Sequence, residues 1–130
     1  MAKEQKKGLV RIFNAYRYSM KGFKAGIENE AAIRQELVIA AILTVIAFVL
    51  RFATALEFSS LELVVLVAMP WLTVVAELLN SGIEAVVDRI GSEYHELSGR
   101  AKDLGSAAVF VMLILTLFTW VALVVEHIVD

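Results

Sequence analysis

The sequence predicts an all-α membrane protein, with three transmembrane helices preceded by an amphipathic helix on the membrane surface. Three observations carry that prediction. Hydrophobic residues fill 59% of the 130 positions, against roughly 45–50% in soluble domains, and mean hydropathy is +0.74. Three long apolar runs each approach the ~20 residues that cross a hydrocarbon core. Basic residues gather at the N-terminus opposite an apolar stripe. One membrane domain, residues 1–130, accounts for the chain. Cysteine is absent, which rules out a disulfide framework or a thiolate metal site.

The surface helix is expected over about residues 5–28. Lys3, Lys6, Lys7, Arg11, Arg17, Lys21 and Lys24 stand there against Glu4 and Glu28. Leu9, Phe13, Tyr16, Met20, Phe23 and Ile27 recur at three- and four-residue steps, the period of one helix face. Cations opposite such a face suit the headgroup layer. No continuous apolar core or A-x-A site follows the first basic residues, so a secretory signal is not expected. A chain this apolar is not expected to bind nucleic acid either.

The first span is expected over about 33–56, because Leu37–Leu50 is free of charge and Arg51 can snorkel to the far interface. Residues 57–62, EFSSLE, read as an acidic turn. The second span, about 61–87, contains Pro70, which removes one helical hydrogen bond and bends the rod. Residues 88–103 read as a polar loop, with Gly91 and Gly99 as turn positions. The third span is about 104–126, since Leu104–Val125 carries no charge. The first connection holds only Arg51 as a basic residue, whereas residues 88–103 add Arg89, Arg100 and Lys102. Positive charge therefore places the N-terminus and the 88–103 loop in the cytoplasm and the C-terminus outside.

Chemistry concentrates on the second span. Glu77, Asn80, Glu84 and Asp88 fall at i, i+3, i+7 and i+11, one helix face. Lipid cannot solvate a carboxylate, so that face must meet protein or water. Glu30, Glu77 and Glu84 offer hard oxygen ligands suited to Mg²⁺, and Arg100 and Lys102 could neutralise phosphates. Neither a Walker A sequence nor a kinase-type G-x-G-x-x-G is present. Residue types alone leave phosphoryl transfer and cation conduction both open. Blander roles stand beside each choice. Taken alone, Lys102-Asp103 reads as a charged rim and His95 as a solvated residue. Tyr16, Tyr18, Trp71 and Trp120 read as interface anchors or packing residues.

The run Glu77-Leu78-Leu79-Asn80-Ser81-Gly82-Ile83-Glu84-Ala85-Val86-Val87-Asp88-Arg89 resembles the signature of bacterial integral-membrane diacylglycerol kinases. The continuation IGSEYHELSGRAKDLGSAAV (90–109) resembles their second signature. NEAAIRQE at 29–36 and the pattern from Arg11 to Lys21 resemble upstream parts. Undecaprenol kinases share the E-x-x-N-x-x-I-E core, but the GSEYHELSGRAKD continuation is similar to the diacylglycerol branch. The departures lie in the apolar spans: Pro70, and a Glu36–Glu77 segment longer than the family pattern implies.

That resemblance implies a homotrimer in the bacterial inner membrane, with sites shared between subunits. It implies transfer of the γ-phosphoryl of MgATP to the free hydroxyl of sn-1,2-diacylglycerol, giving phosphatidic acid. Glu77 takes the position of the catalytic base, and Glu30 and Glu84 those of the metal-holding carboxylates. Arg11, Tyr18, Glu30, Asn80, Glu84, Glu93, Tyr94, His95, Lys102 and Asp103 match nucleotide-contacting positions. Ala15, Tyr16, Ser19, Lys24, Ile27, Ala32, Ile33, Arg34, Gln35, Glu36, Glu77, Ser106 and Trp120 match positions around the lipid substrate. The alternatives are an undecaprenol kinase of the same family and, outside catalysis, a small oligomeric cation channel or transporter.

Overall fold

The computed structural model describes residues 8–130. Lys3, Glu4, Lys6, Lys7 and the start of the helix expected from about residue 5 lie outside the described residues. Four helices make up the rest: α1 Leu9–Asn29, α2 Ala31–Phe52, α3 Ser60–Ile90 and α4 Glu96–Val129. Of these, α2, α3 and α4 are long and apolar enough to cross a membrane. α3 is central, packed along α2 and along α4, while α1 touches chiefly α2.

Each junction has a local cause. Glu30 adopts extended backbone (φ −121°, ψ 109°) between α1 and α2, yet its N–H still bonds Gly26 O at 2.9 Å. The Arg34 guanidinium reaches back and donates to Ile27 O at 2.8 Å, satisfying a carbonyl that the helix end would otherwise orphan. α3 begins with a reciprocal cap: Glu62 N–H donates to Ser59 Oγ at 3.2 Å, and Ser59 N–H to Glu62 Oε2 at 2.6 Å. α4 begins at His95, whose Nδ1 accepts from Leu97 N–H at 3.1 Å.

Two helix boundaries differ from the sequence reading. α2 stops at Phe52 instead of running to about residue 56, and the apolar residues that follow turn inward. Phe58 is almost fully buried with Ala47 and Leu66, flanked by Leu50, Leu56 and Leu63. Residues 88–103 are mostly helix, because α3 runs to Ile90, α4 starts at Glu96, and only 91–95 connect them. With 31 and 34 residues, α3 and α4 are about 46 and 51 Å long at 1.5 Å per residue. A hydrocarbon core is ~30 Å. The change to polar residues at Asp88 thus marks where the rods leave an apolar environment, and they continue past it.

Close approach is set by two glycines. A Cβ on Gly26 would sit 2.7 Å from Ile33 Cδ1, and a Cβ on Gly105 would collide with the Asn80 side chain. Gly26 thus lets α1 settle against α2, and Gly105 lets α4 settle against α3. Further along the α3–α4 seam the Thr73 and Thr116 hydroxyls meet at 3.0 Å. At the opposite end from Asp88, His127 Nε2 lies 2.8 Å from Glu62 Oε1, its ring 4.0 Å from that of Phe58. Outward faces carry large exposed apolar side chains, among them Val38, Ile42, Val45, Val64, Phe110 and Phe118.

The cap at Ser59 allows a direct check. Ser59→Ala removes the acceptor for Glu62 N–H and should cost about 0.5–2 kcal/mol. The loss is read from unfolding in mixed micelles on addition of denaturing detergent. A variant as stable as the parent would mean that the cap does not fix the start of α3.

Candidate functional site

The polar face of α3 is buried against the other helices. Leu66, Pro70, Thr73, Glu77 and Asn80 alternate in steps of four and three, and all are buried. Glu77 and Asn80 are each only 7% exposed. One turn further, Glu84 is half-buried, and Asp88 is exposed. The stripe therefore grades from enclosed to open along a single helix. α2 and α4 cover this face in the middle of α3, whereas near the 91–95 turn Glu84 and Asp88 are reached only in part, by Asn80 and by Lys102 of α4.

Glu77 lies within electrostatic reach of Glu30, Glu36 and Glu84. Carboxylates from the α1–α2 joint, the first turns of α2, and α3 thus face Glu77 at electrostatic rather than ligating range. Asn80 follows Glu77 on the same buried face of α3. Its Nδ2 donates to Glu84 Oε1 at 3.4 Å, a long bond that orients Glu84. Its Oδ1, above Gly105, is buried with no hydrogen-bond partner among the described residues. Beside this group a cleft of about 580 Å³ opens between α1 and α3, lined by Ser19, Phe23, Gly26, Glu30, Ile33, Ser81 and Ala85. Its wall is mostly apolar with Glu30 at the rim, a shape that suits an acyl chain bearing a polar end.

Among the described residues no three His, Cys, Asp or Glu side chains come together as a ready-made metal cage. The donor set is two all-oxygen side chains, Glu30 and Glu84, with no sulfur or imidazole beside them. Mg²⁺ is held by one or two carboxylates with phosphate and water oxygens completing its shell, so this pair fits it; an ion requiring many protein ligands does not fit.

Other residues singled out in the sequence have definite places. Lys102 Nζ is 2.6 Å from Asp88 Oδ1 and ties α4 to α3 just beyond Glu84. Glu93, Tyr94 and His95 line a separate cavity of about 660 Å³ on the 91–95 turn. Asp103 and Ser106 are exposed on α4. Arg11, Ala15, Tyr16, Tyr18, Lys24 and Ile27 are exposed on α1, and Gln35 on α2. Ala32 is half-buried and Ile33 fully buried against Gly26. Ser19 Oγ donates to Ala15 O at 2.9 Å, within its own helix. Glu36 and Trp120 share a smaller cavity of about 230 Å³ with Pro70, Thr73 and Thr116. One chain therefore sets Glu30, Glu36 and Glu84 within electrostatic reach of Glu77, with Asn80 bonded to Glu84. Arg11 and Tyr18 do not line the cleft, and Trp120 is 18 residues, about 27 Å, along α4 from Lys102.

Sequence reading missed Gly26 and Gly105, which set how closely the helices bearing these groups approach. The available signal was a small residue facing a bulky or polar one across two helices, and that can be seen only once the pairing is known.

The profile of the family described as prokaryotic diacylglycerol kinase matches residues 17–124. A diacylglycerol kinase of Escherichia coli (strain K12) is 49% identical over 120 residues, covering 92% of this chain and 93% of that protein. That of Haemophilus influenzae is 42% identical over 113 residues, covering 87% and 91%. That of Pseudomonas aeruginosa is 45% identical over 113 residues, covering 87% of each. With apolar helices that can span a membrane and a family match over most of its length, the chain belongs to the prokaryotic diacylglycerol kinase family of membrane enzymes.

Proposed function

We propose that this protein transfers the γ-phosphoryl group of ATP, bound as its Mg²⁺ complex, to the free hydroxyl of sn-1,2-diacylglycerol, giving phosphatidic acid and ADP. The observation that carries the reading is the buried Glu77 on a stripe that opens toward solvent at Glu84, beside an apolar cleft. A lipid acceptor keeps its chains in the bilayer, so its hydroxyl must react near the apolar end of such a stripe, while ATP approaches from the open end.

In this mechanism Glu77 accepts the proton of the acceptor hydroxyl as the hydroxyl oxygen bonds to the γ-phosphorus and the bond to the β,γ-bridging oxygen breaks. Glu77 and Glu84 are seven residues apart, two turns or about 10–11 Å. That separation keeps the base at the acceptor and the second carboxylate at the phosphates. Glu30 and Glu84 would hold Mg²⁺, which when bound would supply charge neutralisation on the phosphoryl oxygens. Asn80 orients Glu84, and Lys102 exchanges Asp88 for a phosphate oxygen. Arg11, Tyr18, Glu93, Tyr94, His95 and Asp103 complete the nucleotide side. The acceptor side comprises the cleft with Ser19 and Ile33, the α1 face of Ala15, Tyr16, Lys24 and Ile27, and Ala32, Arg34, Gln35, Glu36, Ser106 and Trp120. Positioning and electrostatics then account for most of the rate, as in phosphoryl transfer generally.

α1 lies along the cytoplasmic interface in this reading, with its basic residues toward anionic headgroups. The N-terminus and the 91–95 turn face the cytoplasm and the C-terminus the outside of the bacterial inner membrane. The chain acts as a homotrimer in which each site takes α3 from one subunit and further groups from its neighbour. The support for a neighbour is that Gly82 faces open space and Ala85 is exposed on the cleft side of α3, small residues of the kind that admit a close helix.

Three outcomes test the proposal. Purified protein with MgATP and dioleoylglycerol should form phosphatidic acid, and Glu77→Gln should lower turnover by about 10²–10⁴-fold, the usual contribution of a general base, with nucleotide affinity kept. Near-parental turnover in that variant would give the base role to another group. Glu30→Gln and Glu84→Gln should each raise the Mg²⁺ concentration needed for half-maximal rate while leaving the protein folded; unchanged Mg²⁺ titrations in both would move the ion elsewhere. Finally, subunits inactivated at Asn80, mixed equally with subunits inactivated at Lys102 or along α1, should recover about a quarter of the sites if two subunits build each one. Mixtures that stay inactive after verified exchange, for every pairing, would mean self-contained sites.

A further inference from the structure

Pro70 sits inside α3, and having no N–H it leaves the carbonyl of Leu66 without its helical donor. Leu66 is fully buried, so water cannot take the donor's place. The indole of Trp120, reaching across from α4, donates Nε1–H to Leu66 O at 3.0 Å. An unsatisfied carbonyl in an apolar interior is costly, and in membrane helices the groups freed by proline are met by side chains of neighbouring helices. Trp120 packs at the edge of the Ala47–Phe58–Leu66 cluster, so both its ring and its N–H are committed within the protein.

We propose that Trp120 is a positioning residue that acts through the Leu66 carbonyl, locking the Pro70 segment of α3 against α4 and thereby holding Glu77 in place. Pro70 and Glu77 are seven residues apart on the same buried face. Between them the Thr73 and Thr116 hydroxyls meet at 3.0 Å, so the Trp120 bond is one of several polar contacts along the α3–α4 seam, with His127–Glu62 on its far side and Thr73–Thr116 on the side of Glu77. The indole N–H is then unavailable to a lipid substrate; only the ring face lines the cavity shared with Glu36. The part of this inference that concerns Glu77 rests on the kinase reading above. The hydrogen bond itself does not.

The test is a cycle of four proteins: the parent, Trp120→Phe, Pro70→Ala, and the double variant. Two readouts are taken, the unfolding equilibrium in mixed micelles and kcat and KM for dioleoylglycerol. In the parent background Trp120→Phe should shift the unfolding equilibrium by about three- to tenfold, the size of interhelical hydrogen bonds in membranes. In the Pro70→Ala background, where a backbone N–H again serves Leu66 O, the shift should fall below about twofold. Turnover should follow: Trp120→Phe lowers kcat with KM for the lipid little changed, and adding Pro70→Ala restores most of it. Should Trp120→Phe alone fail to fold, folding of the double variant is the expected result. Equal destabilisation in both backgrounds overturns the proposal, as does a double variant that also fails to fold. A KM raised equally with and without Pro70 overturns it too, and assigns the indole to the lipid. If no variant and no parent protein turns over diacylglycerol, the kinase reading falls while the unfolding cycle still decides the hydrogen bond.

Discussion

The structure depends on one constraint: a carboxylate in the middle of an apolar helix cannot be left facing hydrocarbon. Glu77 lies on the same face as Thr73 and Asn80, and all three are buried. That face selects which sides of α3 meet protein, and α2 and α4 occupy those sides. The other sides of its apolar stretch are free to carry exposed apolar side chains, Val64, Leu72, Val75, Leu79 and Val86 among them. A helix with apolar residues at these positions would pack at least as well, because hydrogen bonds between membrane helices average only about 0.6 kcal/mol and a buried carboxylate carries a desolvation penalty of several. Glu77 is thus a poor choice for stability, which is what the proposed role as base would require of its position.

Much of this was legible in the residues. Charge-free runs define three spans, and the three- and four-residue spacing of Glu77, Asn80 and Glu84 places them on one face. What misled was the assumption that a polar segment between spans is a loop. Gly99 reads as a turn residue but sits inside α4, because the helix is already capped at His95 and the residues after it, Glu96, Leu97, Arg100, Ala101 and Lys102, are good helix formers. Composition reports where a chain leaves an apolar medium, and helix ends are set by caps. The end of α2 failed in the opposite sense, since apolar residues continue past Phe52 but serve the core under the turn, where Leu56 and Phe58 pack on Leu66.

Contacts across helices were not legible, since they depend on register between segments far apart in sequence. Nothing in the sequence ties Arg34 to Ile27 O, Lys102 to Asp88 or Trp120 to Leu66 O. Each gives a structural partner to a side chain that resemblance assigns to a substrate. The two uses differ in how easily they coexist. Lys102 and Asp88 are largely exposed, and an exposed ion pair is worth little, so a phosphate can displace the carboxylate at small cost. Trp120 holds a buried carbonyl whose i+4 helical donor is replaced by Pro70, and giving up that bond is costly.

The same contrast orders the site along α3. At the enclosed end, groups are held by contacts that leave no slack: Asn80 is pressed over Gly105 and the Thr73 hydroxyl is engaged with Thr116. At the open end the contacts are long or exposed, as with Asn80 to Glu84 at 3.4 Å and Lys102 to Asp88. A phosphoryl transfer in which catalysis is mostly positioning needs both kinds of environment. The base must be fixed where the acceptor hydroxyl arrives, and the groups that meet the nucleotide must rearrange each time it binds and leaves. In the proposed reaction, one continuous helix that begins under cover and ends in the open would supply the two conditions without a hinge, and the α1 cleft beside it would give the lipid a separate way in.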